Sequence, residues 1–379
     1  MFFTAKVDRK MAEEKLNELR HQIDALDHDI LELISRRARC AQEVAQVKQK
    51  ACQASGEQAV FYRPEREAQV LRKVMQRNNG PLNDEEMGRL FREIMSACLA
   101  LEAPVRVAYL GPEGTFTQQA AIKHFGHSAV CTPMSAIDEV FREVSAGAVS
   151  YGVVPVENSS EGVINHTLDS FMDSSLQICG EVVLRIHQHL MVSENTRRDH
   201  ITRIYSHAQS LAQCRKWLDA HWPMAERVAV NSNAEAAKRV RGEWNSAAIA
   251  GDMAAELYGL EKIAEKIEDQ PDNSTRFLII GNETVPRSSE VAGNDKTSIV
   301  VSMRNQPGAL HAILEPFHVH DIDLTRVETR PSRSGIWNYV FFIDFEGHQE
   351  DPVVHKVLER LGERANDLRI LGSYPKGVL

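Results

Sequence analysis

The chain has 379 residues, 43% of them hydrophobic and 26% charged, which is ordinary for globular protein and enough for two to three domains. A net charge of -9 and no basic tail exclude nucleic acid or an anionic membrane as the main partner, although local basic residues can still hold an anionic substrate. Cys40, Cys52, Cys98, Cys131, Cys179 and Cys214 form no CxxC pair and read as free thiols of a reducing compartment. The opening MFFTAKVDRK lacks the apolar core of a signal peptide, and no apolar run nears the ~20 residues of a membrane helix. The expected location is the cytoplasm.

Residues 12–103 read as helix. Leu16, Leu19, Ile23, Leu26, Ile30, Leu33 and Ile34 recur at three- and four-residue steps, continuing toward Val44 and Val47. This predicts one very long helix that needs a bundle or coiled-coil partner. The stretch Ala51 to Val60 reads as a loop. A second helix follows Pro64 and stops at Asn79-Gly80-Pro81. A third begins after Asn83, with Asp84, Glu85 and Glu86 in its first turn, where the helix dipole favours acids. These helices cannot bury their apolar surface alone, so a homodimer or higher homo-oligomer is expected. At ~100° per residue, Arg37 and Lys48 lie within about 20° of each other on the first helix and can line one pocket, while Arg20 lies about 100° away and suits another. Arg66 and Glu67 open the second helix, and Cys98 and Glu102 sit one turn apart on the third. Most helical charges are solvated faces.

What gives these charges a role is a resemblance. LRHQIDALDHDILELISRRARCAQEVAQVK followed by FYRPERE resembles the all-helical chorismate mutases over the whole helical region. The resemblance implies an intertwined dimer in which Arg20 crosses into the partner's site. Arg37 and Arg66 would clamp the substrate carboxylates, Lys48 would donate to the ether oxygen, and Glu67 would accept the ring hydroxyl. Arg63 stands where an aspartate can occur, Cys98 at a common serine position, and Glu102 where glutamine often bonds the ether oxygen. A glutamate there donates only when protonated. A Claisen rearrangement needs no covalent catalyst, only a compact conformer and stabilised charge on the breaking ether.

After Ala103-Pro104, short β-rich runs alternate with helices up to Gly281. This predicts an α/β domain over 104–281 with mostly parallel strands. One helix is expected over 208–220. GPEGTFT (Gly111 to Thr117) turns from strand to helix without the ending of a phosphate loop. VPVENSSEG (Val154 to Gly162) and YSHAQ (Tyr205 to Gln209) each follow a strand, where α/β folds place ligand groups, and DNSTRF (Asp272 to Phe277) enters the last one. Each alone reads as turn chemistry. All four in this order resemble prephenate dehydratase, which implies two α/β lobes like a periplasmic binding protein with the site between them. The resemblance makes Thr275 the catalytic threonine and Arg276 a carboxylate ligand. Thr115, Phe116, Glu157, Asn158, Ser159, Ser206, His207, Gln209 and Phe277 would complete the cleft. Ala208 replaces a frequent proline. Prephenate loses carbon dioxide and hydroxide as its ring aromatises, so a hydroxyl donor such as Thr275 is enough to help the hydroxyl leave.

Residues 282–296 are polar, with Pro, Gly and Ser, and read as a linker. The remainder, 297–379, runs βαββαβ, a ferredoxin-like α+β unit. NQPGALHAIL (Asn305 to Leu314) and RVETRPSRSGIWNYVFFIDF (Arg326 to Phe345) resemble an ACT domain. The resemblance implies phenylalanine as effector, held by Gly308, Ala309, Leu310 and Glu328 at a domain interface. His311 and Thr329 replace a usual valine and serine.

The three segments together resemble bifunctional chorismate mutase/prephenate dehydratases, with chorismate and prephenate as substrates, no cofactor and no metal. His187-x-His189 and His318-x-His320 lack the carboxylate or cysteine pattern of a metal site. Trp217, Trp222, Trp244 and Trp337 read as packing residues. Two rivals stand beside this reading: a dehydratase preferring arogenate, and a non-catalytic amino-acid sensor. A fused mutase favours prephenate over arogenate, and a sensor has no use for Thr275, Arg276, Arg37 and Lys48 together.

Overall fold

The computed structural model describes residues 2–55, 61–288, 293–304, 306–331 and 339–378. Helix α1 spans Phe2–Ser55, α2 Pro64–Arg77 and α3 Asp84–Ala100. With 54 residues, α1 is about 80 Å long at ~1.5 Å per residue. It continues to Ser55, into the stretch expected to be a loop, whose residues 56–60 lie outside the described residues. Pro64 opens α2, where its missing N–H costs nothing. Asn83 caps α3 by accepting from the Glu86 N–H at 2.8 Å. Every residue from 11 to 34 is exposed, and burial along α1 begins only at Ser35. Leu16, Leu19, Ile23, Leu26, Ile30 and Leu33 are 46–60% exposed.

Two α/β lobes follow. The first holds β1 (Arg106–Leu110), α4 (Phe116–Phe125), β2 (Val130–Met134), α5 (Ile137–Ser145), β3 (Tyr151–Asn158), β4 (Gly162–Val163), α6 (Asn165–Asp173) and β5 (Gln177–Arg185). The chain then crosses to the second lobe for β6 (His189–Val192), β7 (Arg203–His207), α7 (Ala208–Gln213), α8 (Arg215–His221), β8 (Glu226–Val230), α9 (Asn233–Val240), β9 (Ser246–Ala250), α10 (Asp252–Tyr258) and β10 (Glu261–Ala264). It returns to the first lobe as β11 (Ser274–Gly281). The sheet orders are β2-β1-β3-β11-β5, with β4 on β3, and β10-β6-β9-β7-β8. Pairs among β1, β2 and β3 and among β7, β8 and β9 are parallel, but β11 runs antiparallel to both β3 and β5, and β6 to both β9 and β10. The sheets are therefore mixed rather than mostly parallel, because the strands that carry the chain between lobes enter reversed. The helix expected over 208–220 is split at Cys214, whose backbone (φ -108) is not helical.

The last unit comprises β12 (Asp295–Met303), α11 (Ala309–Val319), β13 (Leu324–Pro331), β14 (Tyr339–Glu346), α12 (Pro352–Arg364) and β15 (Asp367–Pro375), with antiparallel sheet order β13-β14-β12-β15. Side chains alternate between faces along a strand. Ile299, Val301, Phe341, Ile343 and Phe345 pack beneath α11 and α12. Val300, Val340, Phe342, Leu371 and Tyr374 turn to the other face and share a core with Val140, Phe171, Ile178, Leu278 and Ile280 of the first lobe. The approach is closest at Gly372, where a Cβ would stand 2.3 Å from the Ile178 carbonyl oxygen. The described parts of the polar stretch 282–296 are packed as well. Val285, Ser288 and Asp295 are buried, and Arg72 of α2 donates to Ser288 Oγ at 3.0 Å and to the Asn294 carbonyl at 2.9 Å. Asn305, Trp337 and parts of the two segments expected to form the effector site lie outside the described residues. Among the described residues, no helix is long and apolar enough to cross a membrane.

Candidate functional site

On the helical unit, Arg37, Lys48 and Glu102 come together. Burial raises the Glu102 carboxyl above its usual range, against the opposing pull of the Lys48 and Arg37 cations. Lys48 Nζ donates to the Phe61 carbonyl at 3.4 Å and stands 5.7 Å from that ring's centroid. Cys98, one turn before Glu102, is buried. Arg20 precedes Arg37 by 17 residues, about 25 Å along the helix, and its guanidinium lies 3.5 Å from Asn17 on the exposed part of α1. It cannot reach the Arg37 pocket of its own chain. Arg63 pairs with Glu65 at 2.6 Å, and the exposed Arg66 donates to Gln69 at 3.1 Å.

Glu67 turns away from this cluster. It sits on the face of α2 that carries buried Ala68 and Leu71, and it pairs with Arg92 of α3 at 3.2 Å. Arg92 in turn donates to the Lys123 carbonyl of α4 at 2.7 Å. Beside them the Tyr62 hydroxyl lies 2.9 Å from His124 Nε2. Burial, aided by the Arg92 cation, pulls the His124 imidazole down to about 3. The cavity at this seam, about 30 Å³, has room for a water and not for a substrate. In this chain Glu67 braces Arg92, which joins the helical unit to the first lobe.

The four loop motifs converge on a cavity of about 350 Å³ between the two lobes. Thr115 and Phe116, Asn158, His207 and Gln209, and Thr275 and Phe277 all line it. Asn158 Nδ2 donates to Thr275 Oγ1 at 2.9 Å and to Asn273 Oδ1 at 3.0 Å, while its Oδ1 accepts from the Ser160 and Glu161 N–H groups. The amide is thus fixed from both ends. Because Thr275 Oγ1 accepts from Asn158, the threonine's own proton is free for a group in the cleft. A Cβ on Gly251 would meet the Phe116 ring at 2.6 Å, so this glycine lets Phe116 of one lobe seat against the other.

Ser206 and Ser159 are not among the residues that line the cavity. Ser206 is buried, donates to the Ile249 carbonyl at 2.7 Å and lies 2.9 Å from Asn233 Oδ1. Ser159 Oγ accepts from the Ser274 N–H at 2.9 Å, tying its loop to the start of β11. Sequence reasoning missed Gln188, Ser210, Gln213, Ser232 and Asn233, which also line the cavity. One signal was available: Ser232 and Glu235 form a capping pattern just after a strand, and Ser232 Oγ accepts from the Glu235 N–H at 3.0 Å. No Asp, Glu, Lys or Arg lines this cavity among the described residues. Instead α4, α6 and α9 begin at its wall. Their free N–H groups favour an anion without a fixed cation.

Two expected cleft residues point the other way. Across β11 and β3, Thr275 is opposite Asn158 and Arg276 is opposite Glu157. Neighbours on a strand take opposite faces, so the first pair reaches the cleft and the second reaches the C-terminal sheet. Arg276 contacts Glu181 at 2.8 Å, Asp344, and the Tyr374 hydroxyl at 3.0 Å. Glu157 pairs with Arg326 at 3.3 Å. Burial alone would depress the Arg276 guanidinium, but Tyr374, Asp344 and Glu181 hold it above its usual value. The structure does not place Arg276 against a carboxylate in the cleft. In the C-terminal unit Gly308 begins α11 with φ +83, a conformation that suits glycine. Glu328 is opposite Phe342 and so shares the face turned to the first lobe, away from α11.

The sequence matches three known families in turn: chorismate mutase type II over residues 19–103, prephenate dehydratase over 107–285 and the ACT domain over 297–363. The bifunctional chorismate mutase/prephenate dehydratase of Stutzerimonas stutzeri is 70% identical over 366 residues, covering 97% of this chain and 99% of that protein. Its counterpart in Pseudomonas aeruginosa is 68% identical over 367 residues, with the same coverage. Among solved structures, the prephenate dehydratase of Arthrobacter aurescens in complex with L-Phe superposes with a TM-score of 0.66 at 34% identity, covering 72% of this chain and 90% of that one.

Proposed function

This chain belongs to the bifunctional chorismate mutase/prephenate dehydratase family, and on that premise we propose how its own residues divide the work. The helical domain, 12–103, rearranges chorismate to prephenate. The cleft domain, 104–281, converts prephenate to phenylpyruvate. The ACT domain, 297–379, joined through 282–296, senses L-phenylalanine. No metal or cofactor takes part, and the enzyme works in the cytoplasm.

In the mutase pocket Arg37 holds a substrate carboxylate while Lys48 and protonated Glu102 donate to the breaking ether oxygen. Arg20 serves the pocket of a second copy, which the exposed apolar stripe of α1 recruits. Arg66 remains available for a carboxylate, whereas Glu67 is engaged with Arg92. In the cleft, helix N-termini and neutral amides hold the prephenate carboxylates. The bond between the ring and its carboxylate breaks to release carbon dioxide, and that electron pair aromatises the ring. The carbon–hydroxyl bond breaks at the same time, and hydroxide leaves as water with a proton donated through Thr275. The carrying observation is the Asn158–Thr275 hydrogen bond, which fixes the threonine oxygen as acceptor and frees its proton. Phenylalanine binds where the start of α11 from one copy meets Glu328 of another, since the two lie on opposite faces of one sheet.

The test is the Thr275→Val chain supplied with chorismate. Losing the donor is worth roughly 10²- to 10⁴-fold. Chorismate disappears at the wild-type rate while prephenate accumulates, and Thr275→Ser restores much of the phenylpyruvate. A Thr275→Val chain that still makes phenylpyruvate at the wild-type rate refutes the assignment.

A further inference from the structure

Six charged side chains of alternating sign run between the ACT sheet and the dehydratase strands. Lys296 contacts Glu181 at 2.9 Å, Glu181 contacts Arg276 at 2.8 Å, Arg276 contacts Asp344, Asp344 lies 3.9 Å from Arg326, and Arg326 reaches Glu157 at 3.3 Å. Five of the six side chains are no more than 13% exposed, and only Glu157 reaches 39%. Three cations balance three anions, so the chain is neutral as a whole but intolerant of losing one member. The Tyr374 hydroxyl, 2.8 Å from Ser298 Oγ, fills the remaining side of Arg276.

Strand register places two members of this chain beside the chemistry. Arg276 is the direct neighbour of Thr275, and Glu157 of Asn158, and the four form two cross-strand pairs. Each motif therefore sends one residue to the cleft and its immediate neighbour to the ACT sheet. We propose that Arg276 and Glu157 are positioning residues, through which the ACT sheet sets the placement of the Thr275–Asn158 pair, rather than ligands of the substrate. A shift of Asp344 or Arg326 pulls on the backbone at Thr275 and Asn158, and an error of about 1 Å in a reacting group can cost on the order of 10²-fold in rate. Phenylalanine bound at the ACT sheet thus has a mechanical route to the dehydratase that bypasses the mutase pocket.

This inference rests on the dehydratase reading, and its test separates the two. Full-length Asp344→Asn and Glu157→Gln are assayed with prephenate, with chorismate, and with prephenate under a phenylalanine titration. In Asp344→Asn the dehydratase kcat falls about 10- to 100-fold with KM for prephenate nearly unchanged, mutase turnover stays at the wild-type level, and phenylalanine inhibits less. Glu157→Gln shifts the same quantities in the same direction by less. A raised KM with unchanged kcat in these variants overturns the proposal in favour of substrate binding, and wild-type kcat and phenylalanine response in both overturn it outright. If Asp344→Asn loses the mutase too, it has misfolded, and Glu157→Gln alone decides by the same criteria. A wild-type chain inert toward prephenate removes the dehydratase reading and this inference with it.

Discussion

Glu102 links burial to a pH effect. Its carboxyl is raised by desolvation despite Lys48 and Arg37 nearby, and only the protonated acid can donate to an ether oxygen. As pH rises through the raised pKa, the donor is lost, so mutase kcat/KM declines on the alkaline side. A glutamine keeps its donor at every pH, and Glu102→Gln flattens that limb. The pH–rate profiles of the two chains check this, and identical profiles contradict it. At this scale the resemblance of the loop motifs put Thr275 and Asn158 in the cleft, and both side chains line it. It misdirected Arg276 and Glu157 because a motif names residues without naming the face. Strand alternation assigns neighbours to opposite faces, but which face meets the cleft and which meets the ACT sheet depends on how distant segments pack.

Among the elements, α1 makes the sharpest demand. Leu16, Leu19, Ile23, Leu26, Ile30 and Leu33 follow an alternating three-and-four spacing, which is the seam of a coiled coil. Each lies about half exposed in the single chain. Full burial of such a side chain is worth about 1.5–3 kcal/mol and covering its exposed half about half of that, which summed over the seam favours a second copy. Ile30→Asp puts a charge into that seam. The variant sediments as a monomer and loses at least about tenfold of its mutase turnover, because Arg20 no longer reaches a partner's pocket, while dehydratase turnover persists. A monomeric wild-type chain with full mutase activity sinks the shared-site account. The long helix and the three-helix order were legible from periodicity and from Pro64 and Asn83. The break at Cys214 and the short strands β2, β4 and β10 were not, because their sequences lack a distinct period and tertiary pairing decides them.

The whole molecule is more tightly joined than its modular sequence implies. Arg92 spans from the helical unit to α4, Arg72 pins the stretch before the ACT sheet, and the Arg276 chain ties that sheet to β11. These seams are made of charges that read as solvated from sequence, since their partners lie up to hundreds of residues away. The domain order itself was legible because each domain carries its own period and motifs. Removing one member of a buried ion pair costs about 3–5 kcal/mol, so the seams make one assembly of three domains. The most direct test follows chorismate loss and phenylpyruvate appearance together in one reaction of the purified wild-type chain, with and without phenylalanine. The account predicts that chorismate is consumed, that phenylpyruvate accumulates, and that phenylalanine suppresses its formation. Chorismate left intact, or phenylpyruvate formation indifferent to phenylalanine, contradicts it.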